Sequence, residues 1–80
     1  MSALQIEEIF LNICSDILCK PLNLDMLGQT KPTDENLKLM VTRLNFRLNT
    51  KYSTNDFDKH QDNLLSILSI IKRDLVVYSD

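Results

Sequence analysis

The sequence predicts an all-α protein, a small antiparallel up-and-down helical bundle of four helices, the second short or irregular. Leucine and isoleucine dominate the apolar residues, and the 80-residue chain holds one glycine, two prolines and no tryptophan. That composition suits helices better than a turn-rich β-sandwich. Apolar residues recur at helical spacing in three long stretches. The links between them are short, and short links between amphipathic helices set neighbours antiparallel. Residues 1–80 make one domain, since a chain this size buries only ~60–65% of its unfolded surface and has no material for a second core.

The first helix is expected over residues 3–19. Ser2 followed by Gln5 has the pattern of a capping box, and Ile6, Ile9, Phe10, Ile13 and Ile17 make the apolar stripe. Leu11, Cys14 and Leu18 widen it. Pro21 stops the helix, because the residue before a proline is pushed out of the helical region. In "PLNLDMLGQTKPT" the leucines of 22–27 predict one or two helical turns ended by Gly28 in a left-handed cap. An irregular segment laid over the core is the alternative.

Thr33 is a suitable N-cap for a third helix over about 34–50, with Asp34 and Glu35 in the first turn where the helix dipole favours negative charge. Leu37, Met40, Val41, Leu44 and Leu48 form its buried stripe. "KYSTNDF" is a turn. Asp58 with Gln61 is read as the cap of the last helix, which carries Leu64, Leu65, Leu68, Ile71 and Leu75 on one side and runs to about 77, with Ile67 and Ile70 broadening the stripe.

Composition narrows function by exclusion. Nine basic and eleven acidic residues leave a net charge of −2, unlike a general nucleic-acid binder. Cys14 and Cys19, five apart on one helix, point about 140° away from each other and cannot pair within it, which fits a reduced cytosolic protein. "MSALQIEEIF" lacks the basic start of a signal peptide, and no window approaches the ~18–20 apolar residues that span a bilayer. The expected location is the cytoplasm, with any role at the inner face of the membrane reached through a partner.

The inventory for chemistry is thin. One histidine, His60, stands at a predicted helix start with no nucleophile beside it. The two cysteines lack zinc-site spacing. Glu7 with Glu8, and Asp34 with Glu35, are adjacent helix positions that diverge by about 100° instead of converging on a substrate. The single glycine rules out a Gly-rich phosphate loop. No enzyme, cofactor or metal is expected.

One charged feature has direction. Arg43, Arg47 and Lys51, at i, i+4 and i+8, share a side of the third helix. The simpler reading is a solvated face with C-terminal charge matched to the dipole. The functional reading is a docking stripe for an acidic surface or a phosphate backbone. Phe46 lies off the main stripe and is expected to pack in a second core contact, with an exposed partner anchor as the alternative.

"TRLNFRL", residues 42–48, followed by "FDKHQDNLLSILSIIKR", residues 57–73, resembles the third and fourth helices of the immunity proteins for class IIa (pediocin-like) bacteriocins, of the enterocin A immunity type. The likeness lies in Thr42-Arg43-apolar-Asn45-apolar-x-Leu48, then a polar turn, then Phe57 and a helix opened by Gln61 with Leu64 and Leu68 behind it. It covers residues 37–73, and "LNICSDIL" is compatible with the first helix. The chain departs from the pattern where that family has a full second helix, since Pro21, Gly28 and Pro32 break this stretch.

The resemblance implies a cytosolic helical bundle that protects a bacteriocin producer from its own peptide. Such a protein would bind, from inside, the mannose phosphotransferase permease carrying bound bacteriocin, with no catalysis, no nucleic acid and no insertion into the membrane. It also implies that specificity lies in the C-terminal half. The partner-binding candidates are then Arg43, Arg47 and Lys51, the polar side of the last helix with His60, Asn63 and Lys72, and the tail with Val76, Val77 and Tyr78. Two rival readings stand beside this one. A small helical adaptor subunit of a larger complex would use Phe46, Val76, Val77 and Tyr78. A minor nucleic-acid-binding regulator would use the basic stripe and bind with steep salt dependence.

Overall fold

The computed structural model describes residues 1–57 and 63–76. Four helices appear: α1 (Ala3–Leu18), α2 (Leu24–Leu27), α3 (Asp34–Leu48) and α4 (Leu64–Leu75), with one 3₁₀ turn, Thr54–Asp56, between α3 and α4. No strand occurs among the described residues. The chain is a small helical bundle in which α1 packs against both α3 and α4, and α2 leans on α4.

Each helix starts on a polar cap that satisfies an orphan backbone N–H. Ser2 and Gln5 form the expected capping box, the Gln5 N–H donating to Ser2 Oγ at 3.2 Å and the Ser2 N–H donating to Gln5 Oε1 at 3.0 Å. The Asn36 N–H donates to Thr33 Oγ1 at 3.1 Å. α1 and α3 end on residues in the left-handed region, Cys19 at φ 57° and Asn49 at φ 55°. Asn tolerates that geometry better than most residues with a side chain.

Several boundaries depart from the sequence reading, among them the end of α4, which stops at Leu75 instead of about 77 because Val76 is extended. α3 stops at Leu48 because Asn49 turns left-handed, two residues before the expected end. Gly28 ends α2 at φ −68°, in the right-handed region, so its conformational freedom is not used there. α4 opens at Leu64 on Asn63, whose Oδ1 accepts from the Ser66 N–H at 2.9 Å. The Asp58–Gln61 cap lies outside the described residues.

The core joins Ile6, Phe10, Ile13 and Cys14 of α1 to Leu27, to Leu37, Met40, Val41, Leu44 and Leu48 of α3, and to Leu64, Ile67, Leu68 and Ile71 of α4. Phe57 completes it from the α3–α4 link. Leu65 was expected on the inner stripe of α4 and instead is exposed, while Ile67 takes the buried place. Positions 64, 67, 68 and 71 follow the helical repeat, and position 65 lies about 100° from 64.

Asn45 organises that link. Its Oδ1 accepts from the Tyr52 N–H at 2.8 Å and from Thr50 Oγ1 at 2.9 Å, and its Nδ2 donates to the Tyr52 carbonyl at 2.8 Å. Residues 50–57 therefore double back along α3, Tyr52 beside Asn45 and Phe57 beside the first turns. At the other side, the Leu64 N–H donates to the Thr30 carbonyl at 2.9 Å and Asn63 Nδ2 to the Gly28 carbonyl at 3.0 Å, which tie α4 to the end of α2.

Candidate partner-binding face

α3 has its apolar stripe against α1 and leaves the opposite side to solvent. That outer side carries Phe46, 88% exposed, the most exposed large apolar residue described. The core position expected for it is wrong. Residue 46 lies about 180° around the helix from the centre of the buried stripe, so burying Phe46 needs a fourth long helix where this chain has only the single turn of α2.

Arg43 and Arg47 flank the phenyl ring on one edge, and both are exposed. Neither guanidinium makes an ion pair or hydrogen bond with the described residues. A shallow groove of about 410 Å³ runs along that edge, lined by Ile13 and Asp16 of α1 and by Thr42, Arg43, Phe46 and Arg47. Lys51 is exposed but lies three residues past the end of α3, off the helical register that would have continued the stripe. Two arginines, not three basic residues, share the face.

The other candidates are placed differently. Asn63 is the α4 cap and holds Gly28, so its amide is engaged within the bundle. Lys72 Nζ meets Glu7 Oε1 at 2.8 Å, and this half-buried pair fastens α4 to α1. Val76 packs part-buried against the core. His60, Val77 and Tyr78 lie outside the described residues.

A second concavity of about 620 Å³ sits between the start of α3 and the 3₁₀ turn, with Leu37 and Phe57 at its base and Asp34, Glu35 and Lys38 on its walls. Near the C-terminal end of α4, Tyr52 Oη donates to Asp74 Oδ2 at 2.8 Å. Desolvation, and then that bond to a carboxylate, push the Tyr52 phenol up to about 12. The same bond holds the Asp74 carboxyl below its usual range. Burial pushes the Cys14 thiol up to about 12 as well, which makes it an inert core group rather than a nucleophile.

Among the described residues no polar side chain is buried, no cluster of His, Cys, Asp and Glu is disposed to hold a metal, and no helix is long and apolar enough to cross a membrane. The chain matches no protein-family model, no curated protein and no solved structure. The outer face of α3 is therefore judged on its own chemistry. An exposed aromatic beside two exposed arginines has the composition of a binding hot spot, where Tyr, Trp, Phe and Arg are enriched.

Proposed function

We propose that this chain is a non-catalytic binding protein of the class IIa bacteriocin immunity type. In this reading it works from the cytoplasm, recognises the mannose phosphotransferase permease when that receptor holds a pediocin-like peptide, and so protects the producing cell. The likeness of "TRLNFRL" and the leucine-rich last helix supports the cellular role. The observation that carries the binding role is Phe46, 88% exposed on α3 and flanked by Arg43 and Arg47, which form no ion pair or hydrogen bond among the described residues. A phenyl ring beside two arginines has the residue types enriched at binding hot spots, and that composition supports a binding role for this face.

In the same reading Arg43 and Arg47 supply charge for the approach to an acidic surface and Phe46 supplies the anchor. The deciding experiment expresses the chain inside a bacteriocin-sensitive lactic acid bacterium and compares growth inhibition by a panel of pediocin-like peptides with an empty-vector strain. Protection against one or a few peptides is expected. Unchanged sensitivity to every peptide, with folded protein present in the cells, overturns the immunity role.

A further inference from the structure

We draw no further inference here: the strongest candidate, the outer face of α3 where Leu39 and Phe46 stand exposed beside Glu35, Arg43 and Arg47, carries charges of both signs, and nothing in the structure shows what covers it.

Discussion

The hydrogen bond from Tyr52 to Asp74 gives stability a defined dependence on pH. The phenol titrates near 10 in an unfolded chain and about 12 here, so the folded state holds the proton longer. Its contribution is whole below pH 10 and is lost between 10 and about 12. Cys14 acts in the same direction from 9.0 upward. Asp74 has the opposite sign: its depressed carboxyl stabilises the fold above about pH 4 and loses that effect as pH falls through its lowered value. Tyr52→Phe should cost about 0.5–1.5 kcal/mol at neutral pH in urea unfolding and flatten the decline above pH 10, leaving the Cys14 part. An alkaline decline as steep as the wild type's would show that Tyr52 does not carry it. Individual residues were also where the sequence was hardest to read. Asn45, in the middle of "TRLNFRL", looks like surface amide, yet it holds both polar groups of the Tyr52 backbone. Its partners come from a loop folding back, and no helical periodicity encodes that.

At the scale of elements, caps and stripes were legible and ends were less so. Ser2 with Gln5 and Thr33 before Asp34 marked two helix starts correctly, because both act within one turn of chain. The short α2 was also readable from Leu22 to Leu27, although Asn23 caps it and Leu24 remains exposed. The end of α3 was not. It depends on Asn49 adopting a left-handed φ while Asn45 captures the following loop, a tertiary arrangement that shortens the basic stripe to Arg43 and Arg47. Gly28 shows the converse, a residue whose freedom suggested a left-handed cap and whose actual φ of −68° any residue adopts. A Cβ there would meet Leu65 Cδ2 at 3.6 Å, an ordinary contact. Gly28→Ala should therefore leave the fold unchanged and stabilise it by about 0.4–1 kcal/mol through the unfolded chain. A fall in the urea midpoint would mean that position 28 needs glycine after all.

For the whole molecule, the inner surfaces followed from periodicity and the outer ones did not. The stripes of α1, α3 and α4 named nearly all of the core, and Leu65 was misplaced because neighbouring leucines at 64, 65 and 68 allow two stripes. Phe46 was misplaced for a related reason: size argues for burial, but among the described residues no element packs against the back of α3. Leu68, 1% exposed, lies in the middle of α4, and Leu68→Ala should cost about 2–5 kcal/mol, a large share of the stability of so small a domain. Thermal melting monitored by circular dichroism would reveal it, and a melting point within a degree or two of wild type would contradict the core assignment. The back of α3 asks for a different experiment, since its residues can change without touching the core. Cells of a bacteriocin-sensitive strain expressing the wild-type chain should survive at least one pediocin-like peptide, and cells expressing R43E/R47E at equal level and equal helical content should not. Equal survival with the double variant would contradict a binding role for the outer face of α3.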